Sequence, residues 1–213
     1  NKVVNPKYRP LDIDYDRYVT IKNHLRKNKY NPKKLYNKSL FNVVDVGFNS
    51  IFLKANKDLI KLLKKFNLKY IDLQKYISYS EKQIVKLYNK KKNNFINLDL
   101  KNKKKITIPS ITNYFILFAD LKDKKINNKI IKNLKKHNSK EKLVFSSVKP
   151  NHNTFEEKRY WRGPVWINCN WIVYQGLKNK DKNFAKKVKK QTIDLVKKKG
   201  FHEYYSCKTG EAF

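Results

Sequence analysis

The sequence predicts an all-α fold of antiparallel helix pairs, in which one helix of each pair faces inward and the other faces outward. Three stretches carry this prediction. Residues 45–66 place apolar side chains on one wide stripe of a long helix. The helix after Gly163 is apolar almost all round, as inner helices are, whereas residues 184–199 form an outer-type helix with one lysine-rich face. Their alternation is typical of a toroid of inner and outer helices.

The remaining elements follow from apolar spacing and from residues that start or stop helices. Further helices are predicted over residues 11–27, 70–88, 111–121 and 126–136. Residues 95–100 alternate apolar and polar side chains, which predicts a short strand or hairpin arm. Asp45 is expected to cap the long helix, Pro164 to occupy the first turn of the helix after Gly163, and Gly200 to end the last helix.

The chain has a formal net charge of +34, from 51 Lys+Arg against 17 Asp+Glu. Such an excess would ordinarily suggest a nucleic acid or an anionic membrane as partner. Here the cations are mostly Lys spread along helix surfaces, and Arg, which recognises phosphate bidentately, is scarce. We therefore predict a solvated basic surface and neither a nucleic-acid nor a membrane partner.

Cysteine and histidine usage predicts no metal and no cofactor. Cys169 and Cys207 have no metal-ligand spacing, and two thiols are too few for a disulfide framework in a chain of 213 residues. The four histidines also lack ligand spacing. Without an apolar run of membrane-spanning length or a charged-then-apolar leader, the expected location is the cytoplasm.

The most informative segment collects all three tryptophans between positions 161 and 171. Tyr160, Trp161, Arg162 and Trp166 combine aromatic faces, which stack on the apolar faces of sugar rings, with a fixed array of hydrogen-bond donors. Trp161 precedes Gly-Pro in a loop and is predicted to bind a ligand, whereas Trp171 is predicted to be core.

Glu203 follows the helix-ending Gly200 and is flanked by aromatic residues. It lies within the run Phe201-His202-Glu203-Tyr204-Tyr205. Aromatic neighbours restrict water around a carboxylate and tune its pKa, so this position suits acid or base chemistry. Taken alone, one Glu beside aromatic residues is a weak signal.

Together these segments resemble a known family of carbohydrate-cleaving enzymes. The runs Tyr160-Trp161-Arg162-Gly163-Pro164-Val165-Trp166 and Gly200-Phe201-His202-Glu203-Tyr204-Tyr205, with Thr209-Gly210-Glu211, are similar to the C-terminal signature of glycoside hydrolase family 63 and its trehalase-like relatives. Upstream, Arg9-Pro10, Asp14 to Tyr18 and Asp45 to Ile51 resemble the bacterial branch that includes mannosylglycerate and glucosylglycerate hydrolases.

The resemblance implies an incomplete (α/α)6 toroid, as in six-hairpin glycosidases, with at most a short β-hairpin. It also implies an inverting mechanism with two carboxylic side chains. Glu203 matches the general base, with Glu211 as second choice. Tyr160, Trp161, Arg162 and Trp166 match the substrate-binding block. The family's general acid is an Asp that precedes the region corresponding to residue 1, so we expect this chain alone to be inactive.

The resemblance further implies that residues 1–213 form a single partial domain, the C-terminal portion of the catalytic domain, with its N-terminal part and last helix outside the chain. The expected substrate is a small glycoside such as glucosylglycerate or mannosylglycerate. An oligosaccharide-processing α-glucosidase, a trehalase-like enzyme and a non-catalytic sugar-binding toroid remain as alternatives. The sequence leaves the oligomeric state open.

Overall fold

The computed structural model describes residues 6–137 and 144–213, and α-helices form its frame. The helices are α1 (Asp12–Lys27), α2 (Pro32–Lys38), α3 (Val46–Lys65), α4 (Ile71–Val85), α5 (Lys124–His137), α6 (Ile167–Leu177) and α7 (Lys182–Lys199). Two 3₁₀ helices cover Pro6–Tyr8 and Ile111–Leu117. Within the described residues, no helix is both long and apolar enough to cross a membrane.

The helices from α3 onward form three packed pairs. Helix α3 packs against α4, the 3₁₀ helix Ile111–Leu117 against α5, and α6 against α7. The first members of these pairs also pack against one another in the order α3, 3₁₀ helix, α6. This arc of inner helices backed by outer ones confirms the predicted partial toroid.

The inner elements approach one another closely where their side chains are small. A Cβ atom added at Gly176 of α6 would lie 2.7 Å from the backbone nitrogen of Phe118. Real Cβ contacts are longer, so a larger residue here would push α6 away from the end of the 3₁₀ helix. The core beside this contact contains Leu117, Val173 and Leu177, each fully buried.

Five short strands complete the secondary structure of the described residues. Strands β1 (Val43–Val44), β4 (Asn97–Asp99) and β5 (Lys104–Ile106) form an antiparallel sheet in the order β1-β4-β5. Strands β2 (Tyr88–Asn89) and β3 (Asn94–Phe95) form a separate hairpin. The single strand predicted over residues 95–100 is divided: Phe95 ends β3, whereas Asn97–Asp99 form β4 in the other sheet. The described residues therefore contain slightly more β-structure than the one short hairpin expected.

Two predicted helix ends are confirmed by their capping geometry. The Asp45 carboxylate accepts a hydrogen bond from the Phe48 N–H at 2.6 Å and another from the Asn97 side chain at 3.0 Å. It satisfies a free donor in the first turn of α3, which is the structural role expected of an N-cap. At the end of α7, Gly200 has φ +84°, a left-handed conformation that glycine adopts without strain.

The predicted stripe on α3 does not form the buried side of that helix. The residues of α3 that are buried are Val46, Gly47, Ser50 and Leu53, because α4 and the 3₁₀ helix cover that face. Five members of the stripe are exposed instead, namely Phe48, Ile51, Phe52, Leu59 and Leu62. Helix α1 likewise buries none of its residues. These faces give the exposed apolar surface expected of an incomplete toroid.

The segment after Gly163 starts differently from the prediction. Pro164 lies outside the helix, since α6 begins only at Ile167. Val165 is fully buried in extended backbone and bridges both Ser146 and Tyr205, so tertiary pairing replaces the expected first turn. Trp171 was also predicted wrongly, because it is 51% exposed and faces a groove toward Ile193 of α7.

Candidate active site

Backbone pairing brings the two predicted site segments together. Val165 and Tyr205 exchange backbone hydrogen bonds of 2.8 and 3.1 Å. This antiparallel bridge fixes the loop before α6 against the loop after α7. As a result, the aromatic block at 160–166 lies beside Glu203.

Trp161 and Trp166 form a parallel stack with centroids 3.9 Å apart and an interplanar angle of 2°. Trp166 is buried and its indole N–H donates to the Tyr160 carbonyl at 3.0 Å, which fixes the ring. Trp161 remains 46% exposed. Because Trp166 covers one face of Trp161, the free face of Trp161 is available for a sugar ring. We call these two residues the aromatic platform.

The segment that joins Trp161 to Trp166 packs closely against residue 156, and this packing depends on Gly163. The Glu156 N–H donates to the Arg162 carbonyl at 3.0 Å, and the Arg162 guanidinium pairs with the Glu156 carboxylate at 2.8 Å. A Cβ atom at position 163 would lie 2.0 Å from the Glu156 carbonyl oxygen, which no side chain tolerates. The Gly of Trp-Arg-Gly-Pro is therefore required by this close approach.

Glu203 is the carboxylate beside the platform. The Tyr160 hydroxyl donates to its Oε1 at 2.7 Å, and the Arg9 guanidinium donates to its Oε2 at 3.1 Å. Each oxygen thus has one protein donor, which orients the carboxylate. The side chain is still 44% exposed, so water and a ligand can reach it.

Arg9 is a site residue that the sequence did not identify as functional. It follows the 3₁₀ helix Pro6–Tyr8, and its guanidinium lies 4.8 Å from the centroid of the Tyr160 ring. Burial acts to lower the pKa of Arg9, but the Glu203 carboxylate together with the hydroxyls of Tyr204 and Tyr160 outweighs this effect, so the pKa of Arg9 is raised. Arg9 and Glu203 are 194 positions apart, so no local spacing joins them. The Arg9-Pro10 pair within the family resemblance was the available signal.

The Tyr160 hydroxyl is tuned by the same contact. Its hydrogen bond to Glu203 is the main reason that the pKa of Tyr160 is raised, and burial of the ring adds to the effect. Tyr204 packs edge-on against Tyr160, with ring centroids 5.6 Å apart. Tyr160 is therefore held as a neutral hydrogen-bond donor to Glu203.

The other two predicted site residues lie in separate ion pairs. Glu211 pairs with Lys158 at 3.4 Å, and its carboxylate is about half exposed. Arg162 pairs with Glu156 at 2.8 Å, and both side chains are about half exposed. The structure thus brings Tyr160, Trp161 and Trp166 together with Glu203, while Glu211 and Arg162 have different partners. No group of three or more potential metal ligands occurs in the part of the chain that the structure describes.

This arrangement can bind a sugar ring and accept a proton. The platform offers an apolar face, and the exposed, doubly held carboxylate can take a proton from a water molecule beside that face. An arc of inner and outer helices with such a carboxylate at its loops defines the glycoside hydrolase domains of the helical-toroid class. The chain belongs to the mannosylglycerate hydrolase MGH1-like glycoside hydrolase domain family, whose model matches residues 1–213.

Curated relatives agree with this assignment. The chain is 33% identical over 213 residues to the mannosylglycerate hydrolase of Thermus thermophilus, covering 99% of the chain and 51% of the relative. It is 22% identical over 218 residues to the glucosylglycerate hydrolase of Mycolicibacterium hassiacum, covering 98% of the chain and 49% of the relative. The chain therefore spans about half the length of these relatives.

A solved structure has the same fold. The family 63 mannosylglycerate hydrolase from Thermus thermophilus, crystallised with Tris, superposes with a TM-score of 0.94 at 32% identity. The match covers 99% of this chain and 51% of that chain. Another crystal structure of the Thermus enzyme contains Tris and D-glycerate. The exposed apolar residues of α1 and α3 are consistent with the partial coverage.

Proposed function

We propose that this chain supplies the general base and the sugar platform of an inverting glycoside hydrolase. The single observation that supports the proposal best is the Glu203 carboxylate, which Tyr160 and Arg9 hold beside the aromatic platform. The activity itself belongs to a polypeptide that contains this chain together with the remainder of the fold of its relatives. The general acid would be an Asp in that remainder.

In the proposed reaction, Glu203 removes a proton from a water molecule as the water oxygen bonds to the anomeric carbon. The glycosidic C–O bond breaks, and the leaving oxygen takes its proton from the acid on the opposite face. Such a pair needs carboxyl groups about 6.5–9.5 Å apart, because the water must fit between base and sugar. The contacts from Tyr160 and Arg9 keep the base oriented before the substrate binds.

The proposed substrate is a small α-glycoside such as mannosylglycerate or glucosylglycerate. The relatives are named mannosylglycerate hydrolase and glucosylglycerate hydrolase after these substrates, and the Thermus enzyme has been crystallised with D-glycerate. An oligosaccharide-processing α-glucosidase or trehalase-like activity is the alternative for the substrate. By itself the 213-residue chain is expected to bind sugar weakly and to cleave nothing. A cytoplasmic location is part of the same proposal.

Product stereochemistry tests the reaction class. The polypeptide that joins this chain to the remainder of the fold is incubated with α-mannosylglycerate and α-glucosylglycerate, and the first-formed sugar anomer is followed by proton NMR. Inversion predicts the β-anomer before mutarotation. Release of the α-anomer first, or cleavage of neither substrate, would contradict the proposal. The 213-residue chain alone is the control and should release no sugar.

A further inference from the structure

Arg159 joins the site loop to the N-terminal segment through two contacts of one guanidinium. Its Nη1 donates to the Lys7 carbonyl at 3.0 Å, and its Nη2 lies 3.8 Å from the Asp14 carboxylate. Lys7 belongs to the 3₁₀ helix before Arg9, and Asp14 lies in the first turn of α1. The residue therefore spans both sides of Arg9.

A third contact follows immediately in the chain. The Tyr160 N–H donates to the Tyr8 carbonyl at 3.0 Å. Arg159 and Tyr160 thus donate hydrogen bonds to the backbone carbonyls of the two residues that directly precede Arg9. We name these three contacts, from Arg159 and Tyr160 to Lys7, Tyr8 and Asp14, the backbone clasp.

Apart from the clasp, the N-terminal segment is held near the site mainly by ring contacts, such as the edge-on packing of Tyr8 against Phe213 at 5.9 Å between centroids. Helix α1 buries none of its residues, so apolar packing contributes little to its position. Pro10 follows Arg9 and restricts its backbone to extended conformations, which transmits the position of Tyr8 to Arg9. A displaced clasp would therefore move the Arg9 guanidinium away from Glu203.

The environment of Arg159 also differs from that of a surface arginine. Its side chain is 14% exposed, whereas that of Arg17, which pairs with the same Asp14 at 3.2 Å, is 68% exposed. Screening by water is weaker for the less exposed group. The planar guanidinium can also serve a carbonyl and a carboxylate at once, which a lysine ammonium in the same place does less well.

We infer that Arg159 is a positioning residue that sets the Arg9 guanidinium on Glu203 through the backbone clasp. This inference deepens the proposed function, because the group being positioned is the proposed general base. It assigns Arg159 no contact with substrate. It also accounts for the adjacency of Arg159 and Tyr160. Arg159 holds the backbone that precedes Arg9, and the next residue, Tyr160, holds the Glu203 carboxylate that Arg9 contacts.

The test is made first on the 213-residue chain and needs no activity. The chain has five arginines, so individual guanidinium N–H signals can be resolved and assigned by NMR. Arg159→Lys should accelerate solvent exchange of the Arg9 Nη2–H protons, which donate to Glu203, by roughly ten- to hundredfold, as expected when a hydrogen bond to a charged group is lost. Arg17→Lys is the matched control, because Arg17 also pairs with Asp14 but makes none of the three contacts of the clasp. This substitution should leave the exchange of the Arg9 guanidinium protons unchanged.

Backbone amide exchange in α6 and α7 separates positioning from general destabilisation. Under the inference, Arg9 exchange accelerates while these amides keep their protection. Unchanged Arg9 exchange in Arg159→Lys would overturn the inference, as would equal acceleration at Arg9 and throughout α6. If Arg159→Lys does not fold, Asp14→Asn removes one arm of the clasp and should give the same pattern with a smaller change.

The second readout is made in the polypeptide that contains the rest of the fold. Arg159→Lys should lower kcat by about tenfold with KM nearly unchanged, because a misplaced base affects the chemical step. A raised KM at constant kcat would contradict the positioning role. If Glu203→Gln proves fully active, the proposed function fails, yet the Arg9 exchange experiment still decides whether Arg159 positions Arg9.

Discussion

Tyr160 and Glu203, which lie 43 positions apart in the chain, are joined by a hydrogen bond of 2.7 Å from the phenol to the carboxylate. The bond depends on the bridge between Val165 and Tyr205, which aligns the two loops. It gives the carboxylate a defined orientation, and it leaves the free face of Trp161 available beside it. The consequences of this geometry can be measured separately.

Tyr160→Phe removes this hydrogen bond and keeps the aromatic ring. In the polypeptide with the complete fold, turnover should fall by roughly ten- to hundredfold, because a hydrogen bond to a charged group is worth about 1.5–3 kcal/mol. Tyr174→Phe on α6 is the control and should be near normal. Steady-state kinetics provides the measurement, and equal turnover in both variants would show that the phenol does not orient the base.

Trp161→Ala removes the exposed half of the aromatic platform. Affinity for a monosaccharide should fall by about fivefold, since stacking on one aromatic face is worth on the order of 1 kcal/mol. Trp171→Ala is a matched control, because Trp171 is similarly exposed but lies in the groove between α6 and α7. Titration followed by NMR chemical shifts measures both affinities. If Trp171→Ala weakens binding as much as Trp161→Ala, the sugar does not stack on the platform.

His137 predicts a pH dependence of stability that is independent of the site. It is buried between the rings of Tyr114 and Phe145, and burial lowers the pKa of His137 from 6.5 to about 4. The unfolded chain therefore binds a proton between these two values that the folded chain does not. The contribution of neutral His137 to stability is full above pH 6.5 and is lost as the pH falls toward 4.

The expected loss in the free energy of unfolding is on the order of 3 kcal/mol across this range, at about 1.4 kcal/mol per pKa unit. Urea unfolding of the 213-residue chain at several pH values measures it. His137→Phe preserves the aromatic packing and should flatten the dependence between pH 6.5 and 4. An unchanged slope in that variant would assign the pH dependence to other groups.

Local patterns predicted the parts of the fold that local chemistry determines. The N-cap at Asp45, the end of α7 at Gly200 and the lysine-rich outer face of α7 follow from residues a few positions apart. The apolar stripe on α3 did not predict which side of the helix is buried. Burial depends on which elements pack against the helix, and α4 and the 3₁₀ helix Ile111–Leu117 cover a different face of α3. Pro164 failed similarly, since pairing of Val165 with Tyr205 overrides a helix-start signal.

For the candidate site, too, the sequence indicates the segments with a local signal and misses the contacts that only the folded chain makes. The Trp-Arg-Gly-Pro block stands out in the sequence because its residue types depart from the lysine-rich background, whereas Glu203 is a weak signal alone and its role is implied by the family resemblance. The Arg9 contact could not be predicted from spacing, because 194 positions separate the partners and only the folded chain joins them. The carboxylate of Glu211 and the guanidinium of Arg162 pair with Lys158 and Glu156 in the structure, and the roles of both residues stay predictions.

The most direct test of the proposed base is the turnover of Glu203→Gln compared with that of Glu211→Gln, in the polypeptide that contains the complete fold. Both substitutions remove one carboxylate and preserve shape, but only the first lies beside the platform. Glu203→Gln should lower kcat by about a thousandfold or more while sugar still binds, and Glu211→Gln should change it by less than about tenfold. Near-normal turnover of Glu203→Gln would contradict the assignment of Glu203 as the base.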